Sequence, residues 1–524
     1  MPPYDRPEGG EATLKTISRI AAIVLVVAAS WCMTAQAASW SRVETAHFVI
    51  TTDADARKAE AYAQRIEAFR HVAVMMLGAD PTSTRTQGKF DIWLLHSRQQ
   101  VQDLRPNFSF RIAGVYFTCE EGATAYASVQ ETWDNGDTGL VTLLHEYSHH
   151  LMFQSARAWY PAWYVEGFAD YMSAMSMDSS RVQIGNPNAG RVRWLADSHW
   201  LDFERVLVPQ GIYGSDKPAD DAEVASFYAQ SWLLTHYMLN DSERMRRFNA
   251  YFARVGAGED PVAAFEPATG IPVGQLKRLL KRYLEAMPVI AIPNKDIPKV
   301  TAQASPLLED KDDWLLNASL LRTCMGKPQG EKVLGQLRTL AGAPVGIPPE
   351  LRLARDRAEI LFGDPKAARD DLTAHAAEDE NRFEAHYLLG RAAMASARGQ
   401  AADAWNPLRE QARDQFLQAY RLRKADAPNL YFLSIALPGG GTDANVLNAA
   451  RGAHALSPSV DSYAIHEAQL DLDAGQRDKA ELALTPLASN PHDPALAARM
   501  RAAIDAIHAG KSRVDVDRAM SGAK

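Results

Sequence analysis

Cysteine is scarce in this chain: its 524 residues hold three, Cys32, Cys119 and Cys324. That is too few for a disulfide framework, so the fold is expected to rely on its hydrophobic cores. Basic runs and Gly-rich phosphate loops are absent as well, and the net charge is a mild −8. Nucleic acid and nucleotides are therefore not expected partners. A long apolar run is also missing. The best one, Ile20 to Met33, is shorter than the roughly 20 residues that span a bilayer. What remains is ordinary globular composition, 47% hydrophobic and 23% charged. A chain this long is expected to divide into two or three domains.

The amino-terminal 37 residues read as a secretory signal. Lys15 and Arg19 precede the apolar run, and Ala35 and Ala37 form a small-residue cleavage site. Cleavage after Ala37 would leave a periplasmic or secreted protein with Cys119 and Cys324 and no stable membrane span. An uncleaved amino-terminal anchor is the alternative.

Strand and helix patterns alternate from 38 to about 152. His47–Thr52, Lys89–His96, Ala113–Cys119 and Thr124–Val129 read as strands. Ala54–Leu77 has helical spacing, and Asp137 is a candidate N-cap for the helix that follows. Helix patterns dominate from there to Met287. Residues 288–306 carry prolines without helical spacing and read as an extended linker. Residues 307–524 are rich in Ala and Leu and almost purely helical. There "APNLYFLSIA" starts at Ala427 and "DSYAIHEAQL" starts 34 residues later at Asp461. A Gly-containing turn, a second helix with Ala480 near its start and a following proline complete the later unit. Glu384–Ala397 is an earlier, degenerate copy. These units resemble tetratricopeptide repeats, which stack because one helix pair cannot bury its apolar face alone.

The stretch "LLHEYSHHLM" (Leu143–Met152) carries the chemistry. On a helix at about 100° per residue, Leu140, Leu144, Tyr147 and Leu151 form one stripe, flanked by Val141, Leu143 and Met152. His145 and His149 lie one turn apart on the far side with Glu146 beside them. Two imidazoles so spaced can share one zinc ion, and the adjacent carboxylate can take a proton from water. His150 lies about 100° further round and is expected to be structural. "PAWYVEGFADYM" follows, where Pro161 can open a second helix. Glu166 can supply a third ligand, and Gly167 is expected to let this helix approach the first. Asp170, one turn on, can accept a hydrogen bond from the second nitrogen of a ligating histidine.

"HEYSH" followed by "EGFAD" resembles the gluzincin metallopeptidases, the thermolysin-like and aminopeptidase-N-like superfamily. The resemblance covers roughly residues 39–287. It implies an α+β zincin-like catalytic domain, a mixed sheet with active-site helices, followed here by the all-α tetratricopeptide-like domain. It implies one Zn2+ per chain held by His145, His149 and Glu166, with Glu146 as general base and Asp170 behind the ligands. It also implies a peptide or protein substrate lying along a strand edge, for which Thr124–Val129 stands in the expected place. Tyr228 begins a helix, "YAQSWLLTHYML", that resembles the one supplying an oxyanion-stabilising tyrosine in the aminopeptidase branch; His236 on it, like His199 before it, reads as a core or surface histidine. The Gly-x-Met-Glu-Asn motif of that branch has no counterpart before His145, so aminopeptidase specificity is not implied. The competing reading is an exported, non-catalytic scaffold whose helical repeats bind a protein partner.

Overall fold

The structure, a computed structural model, describes residues 38–82, 89–104, 113–130, 139–155, 160–197, 200–208, 212, 219–310, 314–342, 347–379, 381–398, 402–488, 490 and 493–522. The proposed signal segment, His199 and the expected N-cap Asp137 lie outside them. Among the described residues no helix is long and apolar enough to cross a membrane.

A six-stranded mixed sheet organises the first unit. Its strands are β1 (Ala38–Glu44), β2 (Phe48–Thr52), β3 (Phe90–Leu95), β4 (Gly114–Cys119), β5 (Gly122–Ser128) and β9 (Ala304–Asp310). Their order is β4-β5-β3-β2-β1-β9. β3 runs parallel to both β2 and β5, and the remaining pairs are antiparallel. Helix α1 (Ala56–Met76) makes the parallel crossover from β2 to β3, and Asp55 caps its first turn.

Period-two alternation splits the sheet between two cores. Phe90, Ile92, Leu94, Ala125 and Ala127 face the larger core, which includes α1, α3 (Gly139–Ser155) and α4 (Ala162–Ser173). Leu95 and Tyr126 face the opposite side, where Val101 of α2 (Arg98–Leu104) and Leu316 of α11 (Trp314–Ser319) pack with Trp40. Both faces are thus covered, and the carboxyl-terminal helices begin by closing one of them.

Helices α5 (Ala189–Asp197), α6 (Phe203–Leu207), α7 (Asp221–Leu239), α8 (Ser242–Gly256), α9 (Pro261–Thr269) and α10 (Leu276–Tyr283) complete the first unit. A small antiparallel sheet, β6 (Ser176–Met177), β7 (Arg181–Ile184) and β8 (Ile290–Pro293), joins them. The expected linker at 288–306 is therefore corrected. Its residues contribute β8 and the start of β9, so the first unit runs to about Asp310. β8 and β9 are outermost strands of their sheets, where proline costs no ladder bond to a second neighbour. Pro293 ends β8, and Pro306 sits at the register shift of β9 against β1.

Among the described residues the second unit continues after α11 as α-helices with two short 3-10 turns, Leu320–Arg322 and Gly440–Thr442; its helices are α12 (Lys327–Ala341), α13 (Pro349–Phe362), α14 (Pro365–Glu378), α15 (Phe383–Ala397), α16 (Ala402–Leu422), α17 (Ala427–Ala436), α18 (Ala444–Leu456), α19 (Asp461–Asp473), α20 (Arg477–Ala488), α21 (Pro494–His508) and α22 (Arg513–Ser521). Each of these helices packs on the next in sequence. The 34-residue spacing holds, since α17 and α19 begin where the two similar segments begin. Ala480, near the start of α20, is fully buried.

The two units are joined by more than the chain. Cys119, at the end of β4, is disulfide-bonded to Cys324, 205 residues away, with Cα atoms 5.6 Å apart. The expectation that the fold relies on its cores alone is amended: the two cysteines make one staple. Beside it, the β4–β5 turn enters the helical array. Glu121 contacts Arg357 and Arg391, and the Tyr387 hydroxyl donates to it at 3.0 Å. The Tyr463 hydroxyl donates to the Glu120 carbonyl at 2.7 Å.

Candidate metal centre

α3 buries the face its periodicity predicts. Leu143, Leu144, Tyr147, Leu151 and Met152 join the main core, and Tyr147 packs edge-on against Phe48 at 5.1 Å. That anchoring turns His145 and His149 toward α4. α4 itself is buried at every residue, from Ala162 to Ser173, so any polar side chain on it must meet a specific partner. Two such side chains are Glu166 and Asp170.

Glu166 meets the imidazoles. His145 Nε2 and His149 Nε2 are 3.2 Å apart, and Glu166 Oε2 lies 3.4 Å from the first and 3.7 Å from the second. An ion held tetrahedrally at about 2.1 Å requires donor atoms about 3.4 Å apart. The three sides of this triangle sit around that value. Their chemistry, two nitrogens and a carboxylate oxygen, suits zinc. The second grouping of possible ligands, Asp356 with Asp371 and His375, lies in the helical array.

Asp170 reaches the other nitrogen of the same ring, with Oδ1 3.1 Å from His145 Nδ1. This fixes the ring with Nε2 toward the triangle. Behind Asp170 stands Arg191, which sequence reasoning missed. Its Nε donates to Asp170 Oδ2 at 2.8 Å and its Nη2 to Oδ1 at 3.3 Å. Asn188 caps the first turn of α5 by accepting from the Arg191 amide at 3.1 Å, which delivers the guanidinium to this place. No spacing in the sequence links Arg191 to Asp170, because α5 arrives from a separate loop.

The electrostatics follow from these contacts. Burial opposes a charged His145, yet Asp170 and Glu166 override it and raise its pKa well above the ordinary imidazole value. Asp170 is likewise buried, but Arg191 and His145 hold its carboxyl below the usual range. The site favours positive charge.

The structure also relocates two features. Gly167 faces α7, not α3: a Cβ there would stand 2.3 Å from Thr235 Oγ1 and 2.4 Å from the Ser231 carbonyl oxygen. The glycine lets α7 close onto the back of the ligand-bearing helix. Thr124–Val129, expected as a free strand edge, contributes β5, which is paired on both sides; the outer strand is β4. β4, which comes first in the chain, takes the edge, and the hairpin returns as β5 between β4 and β3.

Glu146 is half-buried, on the same helix as the two histidines. Tyr228 is also half-buried, but it does not begin its helix: Asp220 caps α7, which starts at Asp221, so Tyr228 stands mid-helix, with the Arg191 guanidinium 5.1 Å above its ring. It therefore belongs to the surroundings of Asp170. His236 is a core histidine, bonded to the Gly185 carbonyl at 2.8 Å and the Tyr283 hydroxyl at 2.9 Å, and burial pushes it down to about 4. His150 stacks on Tyr147 at 5.5 Å and contacts Ser459 Oγ at 3.2 Å. Ser459 also bonds the Tyr116 hydroxyl at 2.6 Å, so the helical array touches both the outer strand and the ligand-bearing helix.

No family profile and no curated protein matches the chain. Among solved structures, a thermophilic TPR protein from Thermus thermophilus aligns at a TM-score of 0.31 and 18% identity. The alignment covers 37% of this chain and 99% of that one. At that score the likeness carries no argument about fold or function.

Proposed function

We propose that the protein is an exported zinc-dependent peptidase of gluzincin type. The observation that carries this reading is the triangle of His145 Nε2, His149 Nε2 and Glu166 Oε2, whose sides are 3.2, 3.4 and 3.7 Å. Zinc, when bound there, would supply Lewis acidity toward a water and a peptide carbonyl. The chain's own residues do the rest. Glu146 takes the proton of the attacking water and passes it to the departing amine nitrogen. Asp170 keeps a proton on His145 Nδ1, and Arg191 keeps Asp170 ionised and in place. Tyr228, in the middle of α7, is the candidate hydrogen-bond donor to the developing oxyanion.

Export is supported by two independent features, the amino-terminal signal pattern and the Cys119–Cys324 disulfide, which fits an oxidising compartment. We read the helical pairs as tetratricopeptide-like. The β4–β5 turn held by Arg357, Arg391 and Tyr387 supports a role in bracing the catalytic unit. Recruitment of a separate protein is the second role for the array.

The test is metal content and cleavage of a mixed peptide library. The purified full chain should carry zinc and cut peptides, and Glu166→Gln should lose both. Cleavage that persists in Glu166→Gln after chelation would overturn the reading. The pattern of products separates internal from terminal cleavage.

A further inference from the structure

The helical array holds a second convergence of ligand-type groups, on the neighbouring helices α13 and α14. Asp356 projects from α13; Asp371 and His375 stand one turn apart on α14. One ligand atom from each lies within 4.8 Å of the others. His375 Nε2 is 3.7 Å from Asp371 Oδ2, and His375 Nδ1 is 4.0 Å from Asp356 Oδ2. Neither separation is a hydrogen bond.

An acidic cluster alone says little, since an ion pair can account for it. Here Arg355 does account for part. Its Nε and Nη2 donate to Asp356 Oδ1 at 3.0 and 2.6 Å, and Nη2 also contacts Asp371 Oδ2. The remaining atoms are what point to a ligand. Asp356 Oδ2 and His375 Nε2 are both buried and have no hydrogen-bond partner among the described residues. Their side chains are only 1% and 5% exposed. A buried carboxylate oxygen and a buried ring nitrogen left unmatched on the same cluster call for a shared partner. Asp371, about a third exposed, leaves the cluster open to solvent on one side.

With both carboxylates ionised, as metal ligands must be, they and the one guanidinium that binds them carry a single negative charge beside the imidazole. Arg355 would then hold the carboxylates in orientation, as hydrogen-bonded partners of metal ligands do. One ring nitrogen of His375 would ligate the ion, and the three ligand atoms, now within 4.8 Å of one another, would draw in to about 3.4 Å. One nitrogen and two oxygens suit a first-row divalent ion rather than calcium or magnesium, which prefer oxygen alone.

We infer that Asp356, Asp371 and His375 form a second divalent-metal site, for zinc or manganese, on the α13–α14 pair of the helical array. Its position gives it a structural consequence. Arg357, the next residue but one after Arg355 on α13, clamps Glu121 of the β4–β5 turn. An ion joining α13 to α14 would stiffen α13, one of the helices that hold the β4–β5 turn. This inference does not depend on the peptidase reading.

The experiment strips the full chain with chelator, dialyses it against Zn2+ and counts bound metal in the wild type, His375→Gln, Asp371→Asn and His149→Gln. The wild type should hold about two equivalents, and each variant about one. Asp371→Asn preserves shape at a partly exposed position, so it guards against misfolding of the buried variant. In a His149→Gln background, zinc should also raise the melting temperature, and adding His375→Gln should abolish that rise. Wild-type metal content in both His375→Gln and Asp371→Asn would overturn the site, as would a His149→Gln protein that zinc does not stabilise. If His149→Gln keeps the wild-type content while His375→Gln loses one equivalent, this site stands and the proposed catalytic centre falls.

Discussion

Glu121 and Glu166 are two carboxylates shut away from water in the same chain, with side chains 4% and 0% exposed. Their partners differ in kind. Glu121 meets two guanidinium groups and a phenol, all supplied by the helical array. Glu166 meets two imidazoles, and the nearby guanidinium of Arg191 is committed to Asp170 instead. The first carboxylate is balanced by charge built into the fold, which makes a clamp. The second is placed where three donors could share a cation, which is the arrangement the proposed metal site requires. Burial of a carboxylate by itself therefore marks nothing; permanently charged partners make a clamp, and partners that can give up a proton leave room for a metal ion.

The comparison breaks most visibly at the clamp. Arg391→Ala leaves Glu121 buried with one guanidinium fewer and should cost about 3–5 kcal/mol, read from urea unfolding, while leaving zinc binding by the folded protein intact. Reducing Cys119–Cys324 should cost about 2–4 kcal/mol by the same measurement, because the bridge closes a 205-residue separation in the unfolded chain. If Cys119→Ser with Cys324→Ser unfolds at the wild-type midpoint, the staple contributes nothing to the joint. On the other side, Asp170→Asn should weaken zinc binding by about 10- to 100-fold with little change in fold, measured by competition with a chromophoric chelator.

A smaller effect concerns pH. Burial first, with Arg70 adding to it, pushes His150 down to about 4, and burial does the same to His236. Both are below the unfolded value of about 6.5. The unfolded chain therefore binds more protons between those values, and stability present above about pH 6.5 should be lost as pH falls toward about 4. Urea midpoints across that range should decline, and less steeply in His150→Gln. Asp461, raised by burial to about 6, works the other way, so the His150→Gln difference is the test: equal slopes in the two proteins would contradict a neutral His150 between Tyr147 and Ser459.

Much of this was legible in the chain itself, for local reasons. The stripe Leu144, Tyr147 and Leu151 fixes which face of α3 is buried, and so fixes where His145 and His149 point. Glu166 and Asp170, one turn apart, had to share a face of α4. The features that were misread depend on contacts between distant segments. Gly167 signals a close approach, but only the packed structure shows that α7 is the helix approaching. The position of β5 inside the sheet depends on where the β4 hairpin returns, which local alternation does not encode. Pro293 and Pro306 looked like a spacer because proline on an outer strand and proline in a linker leave the same mark. Arg191 had no signal. The Cys119–Cys324 pair did have one, since only two cysteines follow the proposed signal segment.

The central claim is that Glu146 moves protons beside a zinc ion held by His145, His149 and Glu166. Its most direct test is the turnover of Glu146→Gln on a peptide cut by the wild type, with bound zinc measured on the same samples. The account predicts unchanged zinc and a rate lower by about 10²- to 10⁴-fold. Wild-type turnover by a zinc-loaded Glu146→Gln protein would contradict it.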